Sequence, residues 1–349
     1  MGIRGQRVSY ASRVSTDTKF TLPAGAATGV GSMPGGDARE AARIATEAVG
    51  ALPFLPELPA RGPGADMIGR SLGLLVDLYA RVEPSGWRFG DRPGRDSRRA
   101  VAWLGEDLDA LEEFTQGFQG PLKVQAVGPW TLSASVERPN GEAALGDPGA
   151  VRDLAGSLTE GLRLHLADLR RRVPGGELVL QLDEPSLTAV LRGQVRTASG
   201  YRTYRAPDRQ VVEDTIRGLI EAAGVPVVVH SCAPDVPFRM LRRAGVSGVS
   251  FDFSLLTESE WDAFGEAVEG GTALFAGVVP GTDTGLSDPA GSVSGVRALW
   301  RRLGLDPGAL GTSLAVTPSC GLAGASPAYA RAALVHCAKA ARSLVDNPE

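Results

Sequence analysis

His230 and Cys232 stand one residue apart at the end of the apolar run Val227-Val228-Val229. A β-branched run of this kind predicts a buried strand. Side chains alternate along an extended chain, so the imidazole and the thiol point the same way and can chelate one metal ion. A second of the three cysteines, Cys320, follows the apolar run Leu314-Ala315-Val316. Two thiolates and an imidazole form the soft donor set that suits Zn2+. The same residues also read as core, with Cys320 a small apolar filler. Asp252 ends another apolar run and has three readings: an exchangeable oxygen ligand, an acceptor for the second ring N–H of His230, or the cap of a following helix. Asp183 and Glu184 offer paired carboxylates, for acid–base chemistry or for the ammonium of an amino acid. Gly31-Ser32 reads either as a backbone cradle for a carboxylate or as a tight turn with an N-cap. His165, His336 and Cys337 fall inside helical patterns and read as structural.

These residues need a scaffold that gathers distant parts of the chain. Apolar runs predict eight strands: Ala27–Gly31, Leu52–Leu55, Leu122–Val127, Leu178–Leu182, Val225–His230, Gly248–Asp252, Ala273–Val279 and Ser313–Thr317. Helical periodicity separates them over Asp37–Gly50, Asp66–Arg81, Ser97–Gln116, Gly149–Arg172, Gln210–Ala223, Val236–Arg243, Glu258–Val268, Gly291–Leu303 and Pro327–Val345. Eight alternating units predict an α/β fold, a single-domain (β/α)8 TIM barrel over residues 23–349 behind an N-terminal tail, residues 1–22. Every residue named above as chemically unusual then lies at a strand C-terminus, the face that carries active sites in such barrels. Glu83–Arg95 reads as a loop, and Ser186–Arg209 as a long excursion that is either a lid over the mouth or an ordinary solvated extension.

The bulk composition narrows the partners. A formal net charge of −4 gives no basic surface for a polyanion, so no nucleic acid is expected. Three cysteines make no disulfide framework, and two of them as metal ligands imply a reducing compartment. No run approaches the ~20 apolar residues that cross a bilayer, and the first residues lack an export signal's apolar stretch, so the expectation is a cytoplasmic protein away from membranes.

The ordered motifs Val30-Gly31-Ser32-Met33-Pro34, Val127-Gly128-Pro129-Trp130-Thr131, Gln181-Leu182-Asp183-Glu184-Pro185, His230-Ser231-Cys232 and Thr317-Pro318-Ser319-Cys320-Gly321-Leu322 resemble the catalytic half of cobalamin-independent methionine synthase. The resemblance runs from about Thr28 to the end. It implies a zinc-bearing barrel that methylates the thiol of homocysteine, with Zn2+ on His230, Cys232 and Cys320. It also implies the amine of homocysteine on Asp183 and Glu57, and its carboxylate near Gly31-Ser32. The pattern departs from the family in having Asp252 in place of a glutamate ligand and Thr282 near the place of a histidine, with Asp283 beside it a poor acid at neutral pH unless its pKa is raised. The family's N-terminal barrel has no counterpart here, which suggests a short, core-only form. Its methyl donor would be methyltetrahydrofolate, or methylcobalamin on a corrinoid protein. Two rival readings keep the metal: alkylation of another thiol, such as a coenzyme M-like carrier, or a thiol- and metal-binding barrel without turnover.

Overall fold

The computed structural model describes residues 20–348. Six runs of β-branched and aliphatic residues form one parallel sheet: β3 (Gly120–Val127), β5 (Gly176–Asp183), β6 (Val227–Ser231), β7 (Gly248–Asp252), β8 (Ala273–Val279) and β9 (Leu314–Pro318). Spatial neighbours are consecutive in this series, and helices intervene in the chain at each step, as parallel pairing requires. The result is an α/β fold built on a curled half-barrel sheet.

The two expected N-terminal strands differ from the prediction. They join the sheet through single parallel bridges, Ala27 with Val316 and Phe54 with Lys123, and they meet each other at Ser32 and Glu57. The backbone bonds are specific: Thr28 N to Val316 O at 3.1 Å, Leu55 N to Lys123 O at 3.0 Å and Glu57 N to Gly31 O at 3.1 Å. Longer ladders are blocked by composition. Pro53 and Pro56 have no N–H to donate. Gly29 lies so close to the second segment that a Cβ there would sit 2.3 Å from the Phe54 ring.

Alternation along the strands sorts the sheet's concave side into layers. Leu52, Val179, Val228, Phe275 and Ala315 pack together as an apolar floor. Two residues further along, the same faces turn polar: Gln181 follows Val179, His230 follows Val228, and Thr317 follows Ala315. The polar layer therefore lies toward the C-terminal ends of the strands. Of the expected N-terminal tail, residues 1–19 lie outside the described residues. Leu22 is buried in the floor, and Phe20 stacks on Phe275 with centroids 6.4 Å apart.

The expected helix over Asp66–Arg81 is cut short. It runs only from Met67 to Leu72, with Asp66 as N-cap and Gly73 closing its C-terminus. The chain then forms a hairpin of β1 (Tyr79–Glu83) and β2 (Gly86–Gly90), the latter within the expected loop Glu83–Arg95. Pro84-Ser85 make the tight turn, with Gly86 at φ 137°. β4 (Val136–Glu137) adds a third strand to this small sheet. Among the described residues no helix is long and apolar enough to cross a membrane.

Candidate metal and substrate site

β6 delivers His230 and Cys232 to one spot, and the turn after β9 brings Cys320 to the same place. One ligand atom from each lies within 4.8 Å of the other two. The two sulfurs are 3.2 Å apart. The turn that carries Cys320 is fixed from both sides: Ser319 N donates to Val279 O and Leu322 N to Ser32 O, each at 2.8 Å. Glycine at 321 lets Ser32 approach closely: a Cβ there would lie 2.0 Å from Ser32 Oγ and force that side chain to move.

The ring of His230 is buried, with Nδ1 2.8 Å from Ser250 Oγ. Its Nε2 is buried and has no hydrogen-bond partner among the described residues. A buried nitrogen without a partner costs free energy, and a metal ion between it and the two sulfurs would satisfy it. A hydrogen bond from Cys232 and the neighbouring His230 ring hold the Cys320 thiol down at about 4. The same sulfur–sulfur bond and burial push Cys232 well up. The two sulfurs thus share a hydrogen bond that a cation held between them would replace. The donor set, the crowded sulfurs and the orphaned nitrogen all fit zinc.

These groups share a cavity of about 290 Å3 with Gly31, Ser32, Glu57 and Asp183. Asp183 ends β5 as the register partner of His230 on β6. Its Oδ1 accepts from Gln181 Nε2 at 2.7 Å. Burial raises the Asp183 pKa, opposed by the His230 and Lys123 charges. Burial also pushes Glu57 up to about 7 against the pull of Arg70. Burial raises both carboxyl groups of the cavity, and an ammonium placed between them would favour their ionised forms.

Lys123 was not singled out by its sequence context. It is fully buried under the cavity, its Nζ donating to Val30 O at 2.9 Å and to Gln181 Oε1 at 2.8 Å. Burial lowers it to about 8, so it still carries its proton at neutral pH. A lysine inside the apolar strand Leu122–Val127, two residues before Gln125, was the available signal.

Other expected residues lie elsewhere. Glu184 does not line the cavity. Its carboxylate accepts from Trp130 N at 2.9 Å and Thr131 N at 2.7 Å. It thereby caps the helix Pro129–Ser135, and burial lifts it to about 7. Gly128 permits this, since a Cβ there would be 2.3 Å from Glu184 Oε1. Asp252 is not part of the cluster. Its Oδ1 accepts from Ser254 N at 2.9 Å and Ser254 Oγ at 2.7 Å, capping the turn Phe253–Leu255. Ser250, not Asp252, partners the second ring nitrogen of His230. Asp283 accepts from Ser326 N at 2.6 Å and from its hydroxyl, which lowers its pKa and makes it a still poorer acid.

Residues 186–209 contribute nothing to the cavity lining. Tyr204 pins that segment down, its OH donating to Glu142 and accepting from Ala143 N at 2.8 Å, whereas Tyr201 is 95% exposed. A larger groove of about 860 Å3 between the helices Pro148–Arg172 and Arg209–Ala223 contains none of the His230, Cys232 and Cys320 cluster. His165, His336 and Cys337 are buried in helices, as expected of structural residues.

No curated protein matches the sequence. Among solved structures, a B12-independent methionine synthase from Shewanella sp. W3-18-1, in complex with selenomethionine, superposes with a TM-score of 0.61 at 12% identity, over 93% of this chain and 98% of that one. This likeness establishes the fold. A structure of an uncharacterized protein aligns over 70% of this chain and 68% of its own at 14% identity, with a TM-score of 0.28. The family model described as cobalamin-independent synthase, catalytic domain, matches residues 25–343. By that match, which covers the cavity with His230, Cys232 and Cys320, this chain belongs to the cobalamin-independent synthase catalytic-domain family.

Proposed function

We propose that the protein is a zinc-dependent methyltransferase that moves a methyl group from a folate-type donor, methyltetrahydrofolate, to the thiol of homocysteine. The observation that carries this reading is the shared cavity of about 290 Å3, where a soft ligand triad adjoins two buried carboxyls and the Gly31-Ser32 turn. We read the two bridged N-terminal segments as strands one and two of a closed (β/α)8 barrel whose C-terminal mouth is this cavity, with residues 23–349 as its extent.

His230 Nε2, Cys232 Sγ and Cys320 Sγ would hold the metal. Zinc bound there supplies the positive charge that keeps an incoming thiol deprotonated at neutral pH. Asp183 and Glu57 receive the amino group, whose charge favours their ionised forms. The Gly31-Ser32 turn faces the carboxylate. Gripping both ends of the amino acid fixes where its sulfur stands, and positioning of this kind accelerates a bimolecular displacement. The sulfur then bonds to the methyl carbon as the carbon–nitrogen bond of the donor breaks; the electron pair stays on the nitrogen, which takes a proton from solvent. Glu184, next to Asp183 in the chain, caps the Pro129–Ser135 helix outside the cavity.

The selenomethionine bound to the solved relative is an amino acid with a methylated chalcogen, in keeping with this substrate class. The family is described as cobalamin-independent, which withdraws support from a corrinoid protein as donor. A thiol ending in sulfonate has no ammonium to offer Glu57 and Asp183, so a coenzyme M-like acceptor is disfavoured.

The test is metal analysis followed by calorimetric titration of homocysteine into the zinc-loaded protein at pH 7, with proton release measured. One zinc per chain and thiol-linked proton release support the reading, and methyl transfer from methyltetrahydrofolate completes it. Bound zinc that ignores homocysteine sinks it.

A further inference from the structure

We propose that Lys123 is a positioning residue for the amino-acid clamp, fixing the turn that faces the carboxylate and the Asp183 carboxylate that faces the amine at a set separation. The inference rests on the homocysteine reading above.

Lys123 does not line the cavity, so it does not touch substrate. Its Nζ donates to Val30 O at 2.9 Å and Gln181 Oε1 at 2.8 Å, and lies 5.5 Å from the centroid of the Phe54 ring. Gln181 Nε2 in turn donates to Val30 O at 2.8 Å and to Asp183 Oδ1 at 2.7 Å. One carbonyl, immediately before Gly31-Ser32, thus takes two donors. The lysine also completes the pairing of the Gln181 amide. Its ammonium donates to the amide oxygen, while Val30 O and Asp183 Oδ1 both accept from the NH2. Without the lysine the buried amide oxygen is left unpaired and Val30 O keeps one donor of its two, so the frame that holds the Gln181 NH2 against Asp183 loosens. The two ends joined by this network are the two ends that would grip the α-carbon of an amino acid. A lysine serving only to fill the floor would have no reason to engage both.

The test compares Lys123→Met and Gln181→Met with the unaltered protein, all zinc-loaded. Calorimetry measures binding of homocysteine and of 1-propanethiol, which has a thiol but neither an amine nor a carboxylate. Zinc stoichiometry and melting temperature are measured alongside. The expected result for both variants is homocysteine binding weakened about tenfold or more, with zinc content and propanethiol binding unchanged. Equal weakening of both thiols, or undiminished homocysteine binding, overturns the proposal. If Lys123→Met fails to fold, Gln181→Met decides alone, because it keeps the Lys123–Val30 bond and removes the amide through which Lys123 and Val30 are joined to Asp183. An unaltered protein that takes propanethiol but not homocysteine rejects the homocysteine reading itself, and this inference with it.

Discussion

His230 Nδ1 and Ser250 Oγ meet at 2.8 Å because the two residues are register partners on neighbouring parallel strands. If Nδ1 carries the proton and donates to Ser250, the Nε2 lone pair is left free on the side of the sulfurs. A hydroxyl on β7 thus fixes both the tautomer and the angle of a ring on β6. Replacing Ser250 with Ala removes this partner without adding bulk. Zinc affinity, measured by competition with a chromophoric chelator, should fall by about 10- to 100-fold, while the melting temperature of the apo protein changes little. Unchanged affinity would mean that packing alone orients the ring.

The triad was legible because its logic is local: a His-x-Cys pair at the end of a β-branched run projects two ligands together, whatever the rest of the chain does. The positions of Asp252 and Glu184 are set instead by the donors nearest to each carboxylate. Ser254, two residues on, draws the Asp252 carboxylate into a cap, and the free amides of the Pro129–Ser135 helix draw that of Glu184. Lys123 escaped notice because a lysine near a strand start usually reaches solvent. Its burial is due to neighbours on β5 and in the 30–32 turn, distant in the chain. The β1–β2 hairpin was hidden by Leu74, Leu75 and Leu78, which continue the helical period past Gly73. The first two expected strands are present only as single bridges, because their prolines and glycines block longer ladders.

Asp252→Ala tests the division of labour at the end of β7. Its carboxylate is occupied by Ser254, so zinc stoichiometry and affinity should match the unaltered protein. Loss of the cap should lower stability by about 1 kcal/mol, measured by urea unfolding. A drop in bound zinc would show instead that the carboxylate swings onto the metal.

Glu184→Ala should act on stability more than on chemistry. The side chain is fully buried and satisfies two backbone amides that have no other partner in the helix. Leaving them unpaired costs about 1–3 kcal/mol apiece. The predicted signature is a clear fall in unfolding free energy, with residual activity in the folded fraction. Full stability with abolished methyl transfer would restore Glu184 to a direct catalytic role.

The pH dependence of amino-acid binding tests Glu57. Burial pushes its pKa from 4.5 to about 7. Because the folded-state value is raised, the stability contributed by the protonated group is fully present below the unfolded value and is lost as pH rises through about 7. An ammonium ligand binds the ionised form and reverses that preference. Ligand affinity should therefore be high above pH 7 and fall as pH drops below it, by about tenfold for each unit. Methionine is the probe of choice, since it carries the same amine and carboxylate but no thiol to titrate. Its thermal upshift should be larger at pH 8 than at pH 6, and Glu57→Gln should weaken binding while flattening most of that difference. Asp183, also raised by burial, should leave the variant a smaller residual slope. An upshift equal at both pH values in the unaltered protein would remove Glu57 as the partner of the amine.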